Sequence, residues 1–176
     1  MARETSLTGK EVYFDENELI VSKTDLKGEL TYVNDIFCQI AGYTEKQCLG
    51  QPHSMIRDPD MPRCVFHLLW ETIQSGNELF AYVVNRCKNG DHYWVLAHVT
   101  PSFDSRGTVN GYHSSRRVPD RNILNNTVIP LYQSLLNEEK KHANRKDGMH
   151  AASQMIADLL SKEGVEYDEF VARLAA

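Results

Sequence analysis

The 176-residue chain predicts an α+β fold: one curved, five-stranded antiparallel sheet with short helices over one face, then a helical C-terminal extension. Three observations carry this. Lys88-Asn89-Gly90-Asp91 sits between two alternating apolar segments, and Asn-Gly in that setting is the strongest short hairpin signal. Two short β-rich runs near the start are followed by capped helical stretches, an order that places helices on one face of an antiparallel sheet. Beyond Pro119 the apolar spacing turns helical.

The elements follow in order. Residues 1–17 are polar and read as a cap or flexible segment. Residues 19–24 and 29–33 read as strands joined by the turn Asp25-Leu26-Lys27-Gly28. Asn34 caps a helix that Gly42 stops, and Thr44-Glu45-Lys46-Gln47 resembles a capping box. Arg63 to Ser75 is an amphipathic helix ended by Gly76. Residues 78–87, 92–102 and 108–118 complete the sheet. Pro119 marks a boundary, dividing an α+β domain (18–118) from an extension (119–176). In the extension helices are expected over 120–144, 149–160 and 165–174, with breaks at 144–148 and 162–164.

Between Gly50 and the helix at Arg63 runs Gln51-Pro52-His53-Ser54-Met55-Ile56-Arg57-Asp58-Pro59-Asp60-Met61-Pro62. Each proline fixes φ and removes a donor, and each pushes its predecessor towards extended geometry. Such a stretch is not expected to form ordinary helix or strand. Pro62 is suited to the first helical position. A stiff loop leading into a helix with Phe66 and Trp70 on one side makes a wall for a ligand pocket.

The period of two in strands sorts the hairpin into faces. Ala81, Val83, Val95, Ala97 and Val99 are expected to face the helices, with Asn85 as a polar amide among them. Small side chains there leave volume between sheet and helix; close helix packing is the other account of the same pattern. Phe80, Tyr82, Val84 and Leu96 lie opposite and are too apolar for open water. The N-terminal segment, a C-terminal helix, a second copy or another protein could cover them, intramolecular cover being the default.

The formal net charge of −5 argues against a nucleic-acid partner. No apolar run is long enough to cross a bilayer, and Met1-Ala2-Arg3-Glu4-Thr5 carries no signal-peptide core. Cys38, Cys48, Cys64 and Cys87 show no C-x-x-C spacing and read as packed, reduced thiols of a cytoplasmic protein. The histidines show no metal-ligand spacing. There is no nucleophile–base pair or phosphate-binding glycine loop, so no enzymatic activity is expected.

These motifs resemble those of the PAS domains, and in particular the FAD-binding PAS domains of bacterial aerotaxis and energy-taxis sensors. The resemblance rests on Thr24-Asp25-Leu26, Asn34-Asp35-Ile36-Phe37, Gly42-Tyr43-Thr44, Gly50-Gln51-Pro52-His53, Arg57-Asp58-Pro59-Asp60-Met61-Pro62, Phe66, Trp70, Asn85-Arg86, Lys88-Asn89-Gly90-Asp91-His92-Tyr93-Trp94-Val95, Gly111-Tyr112 and Arg116. It spans about 19–118. It implies a PAS sensor domain that holds FAD non-covalently and signals redox state to a membrane-bound chemoreceptor or other signalling protein, with a homodimer also in view. It implies cofactor contacts at Asn34, His53, Arg57, Asp60, Phe66, Trp70 and Asn85, with Arg57 on the diphosphate. The chain departs from the family pattern at Asp58, where many members have His, and at Leu79, where many have Trp. The light-sensing Asn-Cys-Arg-Phe motif is absent, so a flavin–cysteinyl adduct is not expected. A stand-alone soluble sensor is the resulting expectation. A haem- or small-ligand-binding PAS sensor and a cofactor-free PAS dimerisation adaptor are the alternatives.

Overall fold

The structure, a computed structural model, describes residues 6–174. The part of the expected N-terminal cap at 1–5, with the signal-peptide reading, lies outside them. The sheet runs β2-β1-β5-β4-β3, antiparallel throughout. Its strands are β1 (Ile20–Thr24), β2 (Leu30–Val33), β3 (Leu79–Arg86), β4 (His92–Phe103) and β5 (Val109–Arg117). The helices α1 (Asp35–Ala41), α2 (Glu45–Cys48) and α3 (Arg63–Gln74) lie between β2 and β3. Asn34 caps α1 through Phe37 N–H, and the Thr44–Gln47 capping box closes on both sides.

The proline loop differs from expectation in two details. His53–Ile56 forms a 3-10 turn, and Pro62 caps α3 from outside while Arg63 opens it. Tight 3-10 turns suit short connectors, where one i→i+3 bond suffices. Backbone bonds strap the loop to the sheet. Leu30 N donates to Gln51 O at 2.8 Å and His53 N to Gly28 O at 2.9 Å. An antiparallel bridge then joins Arg57 to Asn85.

The N-terminal segment docks on the β3–β4 hairpin. Thr8 N donates to Gly90 O, His92 N to Lys10 O and Val12 N to His92 O. Glu11 pairs in bidentate fashion with Arg121, at 2.6 and 3.0 Å.

The extension comprises α4 (Arg121–Ile123), a π-helical segment (Leu124–Val128), α5 (Ile129–Lys140), α6 (Arg145–Glu163) and α7 (Tyr167–Leu174). The expected break at 144–148 is instead the start of α6. Asn144 caps it through Lys146 and Asp147 N–H. Gly148 is helical because a Cβ there would meet the Glu139 carbonyl of α5. The extension covers part of the outer sheet face. Tyr132 OH donates to Tyr82 O at 2.5 Å, and its ring lies 5.9 Å from that of Trp94. Tyr82 and Val84 are buried as a result, while Phe80 stays 38% exposed and stacks on His98. On the α3 side, Cys64 N donates to Glu139 Oε1 at 2.9 Å.

Candidate functional site

The inner sheet face is built as the alternation dictates. Ala81, Val83, Val95, Ala97 and Val99 are buried, and α3 packs across them. A cavity of about 70 Å³ remains between sheet and helix, edged by Val83, Asn85, Ala97, Val99, Tyr112, Ser114 and Arg116 on the sheet and by Phe66, Leu69 and Trp70 on α3. A cleft of about 490 Å³ adjoins it, sharing His53, Phe66, Trp70 and Asn85 and adding Lys27, Arg57 and Arg63. The interior is apolar with a few polar groups, and the mouth is basic.

Those polar groups are incompletely satisfied. Arg116 is 2% exposed. One of its nitrogens, Nη2, donates to Ser22 Oγ and lies 2.8 Å from His53 Nε2; the other, Nη1, has no partner. Among the described residues Arg116 makes no ion pair. A buried guanidinium normally costs several kcal/mol unless an acceptor or anion meets it. Asn85 Nδ2 and Tyr93 OH, at directly opposed strand positions, also end without partners. Buried polar groups are bonded in the great majority of folds. Three unpaired ones on a single face, two of them (Asn85 and Arg116) at the cavity's edge, mark a surface shaped to meet something.

His53 is held neutral. Burial, with the Arg116 charge beside it, pushes its pKa down to about 3. Its Nε2 therefore accepts from Arg116, which leaves the proton on Nδ1.

Of the residues expected at the site, His53, Arg57, Phe66, Trp70 and Asn85 converge on the cavity and cleft. The Arg57 guanidinium sits 4.7 Å above the Phe66 ring, which fixes it at the mouth. Trp70 packs edge-on to Tyr112 at 5.6 Å. Its ring also lies so close to Gly28 that a Cβ there would crowd it.

Asn34 and Asp60 are not brought there. The Asn34 amide oxygen accepts from Val21 N and Phe37 N, and its nitrogen donates to Leu19 O. Capping and strand tethering consume its side chain. Asp60 is exposed and lines a separate hollow with Trp94 and Tyr132 on the extension side. Asp58, the acid that departs from the family pattern, is also turned away. It is buried, its Oδ1 accepts from Asp60 N, and burial pushes its carboxyl up.

The sequence reading counted Arg116 among the matching motif residues without placing it at the site, and it missed Ser22 and Ser114. The available signal was β5 alternation, which puts Tyr112, Ser114 and Arg116 on one face. The four cysteines are free, and burial pushes Cys48 and Cys87 up to about 11 and Cys64 up to about 12. They remain thiols at neutral pH.

Comparison with known proteins agrees with this architecture. Residues 30–115 match the family model described as PAS fold. The chain is 43% identical over 121 residues to the aerotaxis receptor of Escherichia coli (strain K12), covering 68% of this chain and 23% of that protein. It is 25% identical over 103 residues to the nitrogen fixation regulatory protein of Klebsiella pneumoniae, covering 58% and 21%. It thus spans less than a quarter of either relative. Among solved structures, a light-oxygen-voltage domain studied with a flavin analogue superposes at TM-score 0.57 with 16% identity, covering 71% of this chain and 90% of that one. The dark structure of the Aureochrome1 blue-light photoreceptor domain superposes at 0.54 with 22% identity, covering 68% and 86%. The five-stranded sheet, the helices across its inner face and the matched segment together give residues 20–117 a PAS fold.

Proposed function

We propose that this chain is a redox sensor that holds FAD non-covalently between α3 and the inner sheet face and signals to a chemoreceptor or another signalling protein in the cytoplasm. The observation that carries the reading is the two unpaired buried atoms that edge an apolar cavity, Asn85 Nδ2 and Arg116 Nη1, with Tyr93 OH unpaired at the strand position opposite Asn85. A flavin ring presents carbonyl oxygens and ring nitrogens along one edge, and its flanks are apolar. That edge suits an amide and a guanidinium, and its faces suit Val83, Ala97, Phe66 and Leu69. A three-ring heterocycle exceeds 70 Å³, so the fit uses the adjoining 490 Å³ cleft as well. The basic mouth at Lys27, Arg57 and Arg63 suits a diphosphate. The 43% identity to an aerotaxis receptor supports the same direction.

When bound, the flavin supplies reversible electron transfer that changes its charge and its hydrogen-bonding edge. The chain supplies the readers. Asn85 offers both a donor and an acceptor, so amide reorientation lets it follow either form. Arg116 favours added negative charge, with neutral His53 holding it in place. Two contacts lead outward: β3 reaches the extension through Tyr82 O and Tyr132 OH, and α3 reaches it through Cys64 N and Glu139. Signalling requires the two redox forms to differ in their preference for these arrangements.

An absorption spectrum of the purified chain before and after dithionite tests this. Flavin bands that bleach on reduction are expected. A chain that stays colourless and takes up no added FAD, or one that shows a haem Soret band, would overturn it.

A further inference from the structure

We infer that the C-terminal extension completes the site, Arg145 joining Arg57 and Arg63 in a guanidinium cluster that binds the diphosphate of a dinucleotide and so selects it over the mononucleotide. This rests on the flavin reading above. The 490 Å³ cleft is closed on one side by Met149 of α6. A second hollow, of about 620 Å³, continues past Arg57 and Arg63, which line both, to Lys140 and Arg145. It therefore extends the mouth onto the extension, where the far half of a dinucleotide has room that a mononucleotide does not need.

The charges in this hollow are unbalanced. Among the described residues Arg57, Arg63 and Arg145 form no ion pair. The one carboxylate lining the hollow, Glu139, accepts from Cys64 N. After burial, the neighbouring Arg63 and Arg145 charges contribute to holding Arg57 below its ordinary pKa, with Glu139 acting against them. Gathering like charges costs free energy that a bound dianion offsets. Arg145 is also misplaced for helix stability. It opens α6, where the macrodipole favours an acid. Gly148 presses α6 against α5 and fixes Arg145 at the hollow's edge.

The test is equilibrium binding of FAD and of FMN to the full chain and to its Arg145→Glu variant. Arg145 is exposed, and Glu at a helix start is favourable, so the variant should fold. Wild type should bind FAD roughly tenfold more tightly than FMN, and Arg145→Glu should weaken FAD more than FMN and so remove that preference. Arg63→Ala should act in the same direction. Equal FAD and FMN affinities in wild type, or a preference that survives Arg145→Glu, would overturn the inference and leave the flavin reading standing. Failure to bind either flavin would overturn both.

Discussion

The outer and inner faces of the sheet bury comparable side chains, yet they treat polar groups differently. On the outer face the extension supplies Tyr132, whose hydroxyl finds Tyr82 O while its ring packs by Trp94. The Tyr132 hydroxyl is satisfied there and the hollow between Tyr82 and the helices is about 20 Å³, although a hollow of about 410 Å³ opens beside it at Asp60, Trp94 and Tyr132. On the inner face Asn85, Tyr93 and Arg116 keep unpaired atoms, and Asn85 and Arg116 edge an apolar cavity of about 70 Å³. The fold thus completes one interface by itself and leaves the other to be completed. On the proposed reading, stability resides in the first face and binding in the second.

Substitutions should separate the two. The largest effect is expected for Tyr132→Ala, which should cost about 3–5 kcal/mol in urea unfolding. The protein that remains folded should keep wild-type flavin affinity. Asn85→Leu should do the reverse: FAD affinity should fall roughly ten- to a hundredfold. Stability of the ligand-free chain should hold or rise, because an orphaned amide is removed. A fall in both quantities would blur the distinction.

A smaller effect concerns pH. His53 has a folded pKa of about 3 against 6.5 unfolded, so below pH 6.5 the unfolded chain binds a proton that the folded one refuses. Stability is then full above pH 6.5 and falls by up to about 1.4 kcal/mol per unit as pH drops towards 3. His113 is lowered as well, by burial and Lys23, and adds in the same direction. His53→Gln should flatten this dependence in pH-resolved thermal melts. The smallest change is expected for Phe80→Ser, on the uncovered part of the outer face, at within about 0.5 kcal/mol.

Local chemistry made much of this legible. The Asn89-Gly90 hairpin, the Thr44–Gln47 capping box and the period-two faces of β3 and β4 depend on neighbouring residues alone. Asn34 shows the limit of a carried-over role, since the residue type that suits a ligand also suits an N-cap, and here the cap uses the whole amide. Arg116 matched the family pattern, but its pocket role was illegible because an arginine near a strand end reads as solvated until β1 and His53 close around it. The start of α6 was hidden for a similar reason. Lys146-Asp147-Gly148 looks like a break, and only the long-range approach of Glu139 makes glycine the helical choice.

The central claim is that the space beneath Ala97 is a flavin pocket. FAD titrated into the ligand-free chain and into Ala97→Phe, at matched thermal stability, tests it most directly. Saturable one-to-one binding by the wild type and its loss in the variant are predicted. Equal binding by both proteins would contradict the account.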